Sequence, residues 1–325
     1  MRAIVCAAFG EPETLTVGDL PAPAAGAGEV LIDVTAAGVS FADTLMIRDM
    51  HQNKHPLPFA PGMEVAGRIA ATGAGVTDFK PGDRVMALVY DGGYATQAKA
   101  AATETFPLPE GVSDAAAAAL CSVYLTAHCA LAFEARLQPG ETLLVLGAAG
   151  GVGLAAVEVG KALGATVIAA AGGAEKTAVA TAHGADAVID YRTEDLRQRA
   201  LDLSGAGVDV VFDPVAGDYY EPSFRALDWG GRYLTIGYAG GAIPKIPANL
   251  LLVKNRAALG FALMHYRRRH TALLRQSADT LLAWAAAGVV RPRIAADMPL
   301  ADAPTAMRAV MDRKAIGKYV LTVSP

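Results

Sequence analysis

Cysteine is scarce in this chain: Cys6, Cys121 and Cys129 are the only three in 325 residues. No two form a CxxC pair, so no structural zinc framework can be assembled from them. Charge is also sparse, at 18% of residues with a net charge of −4. That balance leaves no electrostatic footprint for nucleic acid. Internal repeats and low-complexity linkers are absent. The sequence shows no signal peptide, so a reducing, cytoplasmic location is expected. One stretch, from Ala115 to Phe133, lacks any Asp, Glu, Lys or Arg. It is long enough to span a bilayer. However, it is rich in alanine and carries Ser122, Tyr124, Thr126 and His128, so it reads as a buried helix rather than a membrane span. Apolar residues make up 53% of the chain, and the length allows two domains with cores of their own.

The most telling feature is Gly147-Ala148-Ala149-Gly150-Gly151-Val152-Gly153. An apolar strand, Thr142 to Leu146, runs straight into it, and a charge-poor helical segment follows from Leu154 to about Leu163. Gly147 permits a tight turn. Gly150 lets the backbone approach a pyrophosphate, and Gly153 lets the helix lie against the sheet. The phosphates would rest on unpaired N–H groups at the positive end of the helix dipole. The flanking strand and helix are what raise the glycine spacing above a chance match. The alternative is a strand–turn–helix without a ligand.

Residues 1–122 are rich in Val, Gly and Pro. Strands are expected at Leu31–Ala36, Glu64–Ala70 and Arg84–Leu88, separated by turn signals such as Lys80-Pro81-Gly82-Asp83. From about residue 123 strand and helix alternate. Strands are expected at 142–146, 165–171, 186–190, 208–212 and 231–236, with helices at 152–163, 175–183, 193–203 and 219–228. Right-handed crossovers place such strands in one parallel sheet with helices on both faces. Residues 249–259 are expected to supply a last strand and 269–287 one long helix. A short helix at 301–312 and a strand at 318–323 should return to the first domain.

Cofactor choice is read at the end of the second strand of such a sheet, where an Asp or Glu accepts from the ribose of NAD. Here the chain reads Ala170-Ala171-Gly172-Gly173, with no acid. Lys176 follows, and Tyr191 and Arg192 end the third strand. A missing carboxylate, a nearby ammonium and a ring suit the 2′-phosphate of NADPH. The plain alternative is that Lys176 is a solvated lysine in a first helical turn, a place the dipole disfavours unless an anion is present.

At this point the sequence resembles the zinc-free quinone oxidoreductases, the zeta-crystallin-like branch of the medium-chain dehydrogenases. The resemblance is nearly full length. It rests on Gly38-Val39-Ser40-Phe41-Ala42-Asp43, Pro61-Gly62-Met63-Glu64-Val65-Ala66-Gly67, Pro81-Gly82-Asp83-Arg84-Val85, Leu125-Thr126-Ala127, the glycine loop, Gly230-Gly231-Arg232, Ile236-Gly237-Tyr238-Ala239-Gly240 and Gly317-Lys318. It implies an α/β architecture. Residues 1–122, completed by 262–325, would form a GroES-like β-rich catalytic domain. Residues 123–261 would form a Rossmann doubly wound parallel-sheet domain for NADPH, with a homodimer through the Rossmann sheets.

The resemblance also assigns roles. Ala149, Gly150, Gly151, Val152 and Gly153 would hold the pyrophosphate. Lys176 and Tyr191 would hold the adenosine end beside Gly173, which stands where relatives often have Ser or Thr. Gly237, Tyr238 and Ala239 would flank the nicotinamide. Thr126 would help fix its face, although a threonine back-bonding within a helix reads equally well. Lys314 falls where relatives often carry an Arg that approaches the cofactor. Zinc-dependent relatives have a His directly before the Glu of their Gly-His-Glu, and here that place is Met63, so no metal is expected. Ser40 replaces the usual Asn near the nicotinamide and can still donate a hydrogen bond. His51 replaces a usual Tyr, and is either a proton donor with an unperturbed pKa of about 6.5 or a surface histidine on a loop rim. The run His265-Tyr266-Arg267-Arg268-Arg269-His270 reads as a solvated face, or as an attractor of an anionic substrate such as an acyl-CoA. The expected activity is hydride transfer from NADPH to a quinone or other conjugated carbonyl. The alternatives are an enoyl-thioester reductase, or a cofactor-binding protein with little catalysis.

Overall fold

A computed structural model describes residues 1–323. The chain divides into two units. Unit 1 comprises Met1–Ser122, Arg269–Ala287 and Pro292–Pro325, and unit 2 comprises Val123–Arg268 and Gly288–Arg291.

The chain opens with β1 (Arg2–Val5) and β2 (Thr16–Asp19), a small antiparallel pair. The larger unit-1 sheet then begins with β3 (Glu29–Val39), which leads through Ser40 into α1 (Phe41–Met46). It continues with β4 (Glu64–Thr72), β5 (Arg84–Leu88), β6 (Gln97–Ala101) and β7 (Thr105–Pro107). The long strand β3 alternates buried and outward residues over its first half, with Val30, Ile32 and Val34 inside. Gly67 on β4 has a packing reason: a Cβ there would come within 2.0 Å of the Asp33 carbonyl oxygen across the ladder.

Helix α2 (Asp114–His128) follows and continues as a π-helical stretch, Cys129–Glu134. The division between the units falls inside α2. By length and composition, Asp114–Glu134 could cross a membrane, but 67% of its most apolar window is buried in the fold, as expected of a core helix.

Unit 2 alternates as expected: β8 (Thr142–Leu146), α3 (Gly151–Ala162), β9 (Thr166–Ala171), α4 (Ala174–Ala182), β10 (Ala187–Asp190), α5 (Leu196–Ser204), β11 (Val208–Asp213), α6 (Tyr220–Ala226) and β12 (Leu227–Thr235). All six strands of its sheet are parallel, in the order β10-β9-β8-β11-β12-β13. The chain reverses direction between β8 and β11, and such a switch point is where open α/β sheets bind their ligands. Leu144, Leu146, Ile168, Val211, Phe224 and Tyr233 form its buried centre.

Two expectations are corrected. Residues 249–259 are not one strand: Ala248–Val253 form helix α7, and only Ala257–Gly260 extend, as β13. The long helix expected at 269–287 is there as α9 (Thr271–Ala286), and an unexpected short helix, α8 (Leu263–Arg269), precedes it. They break at His270, whose φ of −132° and ψ of 46° are not helical. Residues 262–268 and Gly288–Arg291 accordingly belong to unit 2, not to the β-rich unit. The tail then adds β14 (Ile294–Pro299), α10 (Ala303–Met311) and β15 (Lys318–Thr322) to unit 1. Strand β15 is inserted between β14 and β3, and pairs antiparallel with β3 through Tyr319 opposite Val39.

Candidate active site

The glycine loop has the geometry its spacing predicts. Gly147 takes φ +57°, a left-handed turn out of β8. Gly150 is the N-cap of α3 and has no side chain with which to cap the first-turn N–H groups. The N–H groups of Gly151, Val152 and Gly153 have no partner within a helix, so they are open to an anion. A Cβ at Gly153 would lie 2.2 Å from the Gly147 carbonyl oxygen, which explains that glycine by packing alone. A Cβ at Gly150 would meet only that oxygen, at 3.5 Å, so the fold itself does not require a glycine there. The buried Ala149 and half-buried Val152 complete the turn.

Beyond β9 the chain turns through Gly172 and Gly173, the latter with φ +97° at the N-cap of α4. Its N–H donates to the Asp190 carboxylate at 2.8 Å. That carboxylate also accepts from the Arg192 N–H at 3.1 Å, and these two backbone bonds hold its pKa below the ordinary value. Half-buried Lys176 lies in the first turn of α4, and the Tyr191 ring packs on Tyr219 with centroids 4.2 Å apart. Arg192 joins them. A Cβ at Gly172 would come within 2.9 Å of its Nε, and one at Gly173 within 3.3 Å of a terminal nitrogen. The guanidinium therefore lies over the glycine pair. Sequence reasoning placed Arg192 at the strand end but did not count it as a ligand-binding residue. The signal was the bare Gly-Gly pair, whose missing side chains make room for it.

The segment after β12 is laid on the loop after β11 by backbone bonds. Ile236 N–H donates to Asp213 O at 2.9 Å, Ala239 N–H to Pro214 O at 3.1 Å and Gly240 N–H to Val215 O at 2.7 Å. Gly237 is part of this contact, and Tyr238 projects with 41% exposure. The Asp213 carboxylate accepts the N–H groups of Val215 and Ala216 and the Tyr233 hydroxyl, and burial raises its pKa. Ala216 sits at φ +58°, a strained value for a residue with a Cβ, and the Asp213 bonds hold it there. Thr126 is half-buried on α2.

In unit 1, Ser40 caps α1 but does not use its hydroxyl for capping. The Asp43 carboxylate accepts the Ser40 N–H at 2.7 Å, half of a capping box. The serine Oγ is turned inward instead. It donates to Glu64 Oε1 at 3.0 Å and accepts from Lys318 Nζ at 2.5 Å. Lys318 also pairs with Glu64 at 2.5 Å, and the Ser122 N–H donates to the other Glu64 oxygen at 2.8 Å. Glu64 and Asp43 are wholly buried and Lys318 nearly so, whereas Ser40 is half-buried. Burial pushes the Asp43 carboxyl up to about 6, against the lowering effect of the Ser40 N–H, Lys318 and the Tyr94 hydroxyl.

His51 lies on the loop after α1 and accepts the Asn53 N–H at Nδ1 (3.3 Å). That bond places the proton on Nε2, so the neutral ring is a hydrogen-bond donor there. Burial lowers its pKa. His55 is buried, pairs with Asp91 at 2.9 Å and stacks on Phe59, and its Nε2 has no partner. Lys314 is exposed in unit 1 and pairs with Asp312 at 3.1 Å. The arginine run is not one solvated face: Tyr266 and Arg267 on α8 are buried. Among the described residues, no three His, Cys, Asp or Glu side chains converge as a metal site would require.

Two family models match the chain: an alcohol dehydrogenase GroES-like domain over residues 26–124 and a zinc-binding dehydrogenase over residues 151–279. The chain is similar to the quinone oxidoreductase-like protein 2 of Rattus norvegicus, with 39% identity over 99% of this chain and 92% of the relative. Among solved structures it is similar to an Escherichia coli quinone oxidoreductase complexed with NADPH, at a TM-score of 0.92 and 31% identity over 99% of this chain and 100% of that one. It also matches the quinone oxidoreductase of Thermus thermophilus, at a TM-score of 0.86 and 38% identity, again over 99% and 100%. With its GroES-like unit 1 and Rossmann unit 2, this chain belongs to the zinc-free quinone oxidoreductases of the medium-chain dehydrogenase/reductase superfamily.

Proposed function

We propose that this oxidoreductase passes hydride from NADPH to a quinone or another conjugated carbonyl. The observation that carries the reading is the pairing of the glycine cradle at α3 with the cations and ring at the ends of β9 and β10. The open N–H groups of Gly151, Val152 and Gly153 suit a pyrophosphate. Lys176, Tyr191 and Arg192, spread around the bare Gly172–Gly173 turn, suit a 2′-phosphate and an adenine. Gly237, Tyr238, Ala239 and Thr126 would orient the nicotinamide. When bound, the reduced cofactor supplies a hydride. Ser40 supplies the hydroxyl that meets the acceptor oxygen, and His51, a donor at Nε2, is a second candidate. No metal is needed in this scheme: Met63 stands before Glu64, whose two carboxylate oxygens are taken by Lys318, Ser40 and Ser122.

The working form is a homodimer through the Rossmann sheets, in a reducing, cytoplasmic setting. Strand β13 has β12 as its only neighbour, leaving one edge open, and Leu252 and Val253 on nearby α7 are 79% and 73% exposed. The three cysteines are buried and, among the described residues, form no disulfide, as suits a reducing compartment.

The test is oxidation of NADPH, with NADH alongside, against benzoquinone, phenanthrenequinone, an enone and crotonyl-CoA. Quinone turnover with NADPH is expected. Turnover of crotonyl-CoA alone would replace this reading with an enoyl-thioester reductase. Tight NADPH binding without turnover of any acceptor would leave a cofactor-binding protein.

A further inference from the structure

Hydride arriving at a conjugated carbonyl leaves an electron pair on oxygen, and the developing charge must be met by a donor. A lone serine hydroxyl is a modest donor. The surroundings of Ser40 make it a stronger one.

Strand β15 pairs antiparallel with β3 through Tyr319 opposite Val39, so the next residues along each strand, Lys318 and Ser40, are brought together although 278 positions separate them. The ammonium of Lys318 is nearly buried and donates to Ser40 Oγ at 2.5 Å, a short charge-assisted bond. The same ammonium meets Glu64 Oε1 at 2.5 Å. With its oxygen lone pair given to a cation, the serine has one hydrogen left to donate. That hydrogen either faces Glu64 Oε1 at 3.0 Å, an oxygen the ammonium already satisfies, or turns outward. Ser40 is also the member of the group that solvent reaches. Gly38 keeps the cluster compact, since a Cβ there would come within 2.7 Å of the Glu64 carboxylate. The remaining charged or titratable groups are Asp43, which accepts the Ser40 N–H, and Tyr94, which donates to Asp43.

We propose that Lys318 is the buried electrophile of the reaction, acting through the Ser40 hydroxyl, with Glu64 holding the ammonium against it. This deepens the proposed carbonyl reduction and rests on that reading. In the step, hydride forms the new bond at the acceptor and the carbonyl π pair moves to oxygen. Ser40 O–H, backed by Lys318, hydrogen-bonds that oxygen, and a solvent proton then neutralises it. The serine keeps its own proton, and Lys318 is a positioning residue that never touches the acceptor.

Two measurements test this. In the first, Ser40→Ala and Lys318→Met are each expected to lower kcat about 10²-fold with KM little changed. The double variant should lose no more than either alone, because one acts through the other. Multiplying losses would overturn the proposal. The second measurement needs neither cofactor nor turnover. The thiol introduced by Ser40→Cys is titrated through the pH dependence of its alkylation by iodoacetamide, the three native cysteines being buried. It should ionise below the free-thiol value of about 8.5. Adding Glu64→Gln should lower that midpoint further, and adding Lys318→Met should raise it. A midpoint that neither change moves would overturn the proposal. If Lys318→Met fails to fold, the Glu64→Gln shift alone decides. If the native enzyme reduces no carbonyl while the thiol behaves as expected, the functional reading fails and the Lys318–Ser40 coupling stands.

Discussion

At the scale of single residues, the proposed choice of NADPH rests on charge around Gly172–Gly173. Removing one charge-assisted contact to a phosphate costs about 1.5–3 kcal/mol. Arg192→Ala and Lys176→Ala should therefore each weaken NADPH binding about tenfold or more while barely changing NADH. Fluorescence titration of both cofactors checks this, and equal losses would remove these residues from the 2′-phosphate site. Asp43 makes a second residue-level prediction. Its pKa is raised to about 6 by burial, above the unfolded value of about 3.9. The native state then holds the proton more tightly than the unfolded chain, so this group's contribution is complete below pH 4 and lost as pH rises through 6. Asp43→Asn should flatten the fall in unfolding free energy between pH 4 and 7, read by urea denaturation at a series of pH values. An unchanged pH dependence would show that Asp43 is ionised throughout. Of the proposed site, the glycine loop, Gly173, Lys176 and Tyr191 were legible in advance from the strand–turn–helix pattern and the strand ends. Arg192 and Lys318 were missed as site residues because their partners lie across strands, and strand register is invisible until the sheets are assembled.

At the scale of elements, the glycine loop separates packing from function. Gly153→Ala places a Cβ 2.2 Å from a carbonyl oxygen, an overpacking that should cost about 1–3 kcal/mol or more and lower the Tm. Gly150→Ala meets nothing closer than 3.5 Å and keeps an allowed φ of −78°, so the Tm should hold. Its NADPH affinity should nonetheless fall steeply, because the added methyl stands where a pyrophosphate would approach. Unchanged affinity would place the phosphates elsewhere. Element boundaries in unit 2 were largely legible, since buried parallel strands and their turn glycines leave strong marks. Helix α8, just before His270, was not: Arg267-Arg268-Arg269-His270 reads as a polar surface run, and neither Gly nor Pro marks where α8 ends and α9 begins. The helix within 249–259 was hidden because Leu250, Leu251, Leu252 and Val253 suit a strand or a helix equally.

At the scale of the whole molecule, the open edge of β13 and the exposed Leu252 and Val253 predict that Leu252→Asp splits the proposed dimer, read by light scattering beside the native chain. A variant that stays dimeric would move the interface off this edge. Strand β15 has a different consequence, one of order in time. Unit 2 is almost entirely one continuous stretch, Val123–Arg268, whereas the main sheet of unit 1 receives an inner strand from the last residues of the chain. During synthesis the middle of the protein can close around its core while the N-terminal sheet still has a slot beside β3. Glu64 and Ser40 wait there without Lys318 until β15 has been made and has left the ribosome. The enzyme is therefore silent until its final strand seats: a nascent chain halted before residue 313 should show a protease-resistant unit 2 beside a cleavable N-terminal part.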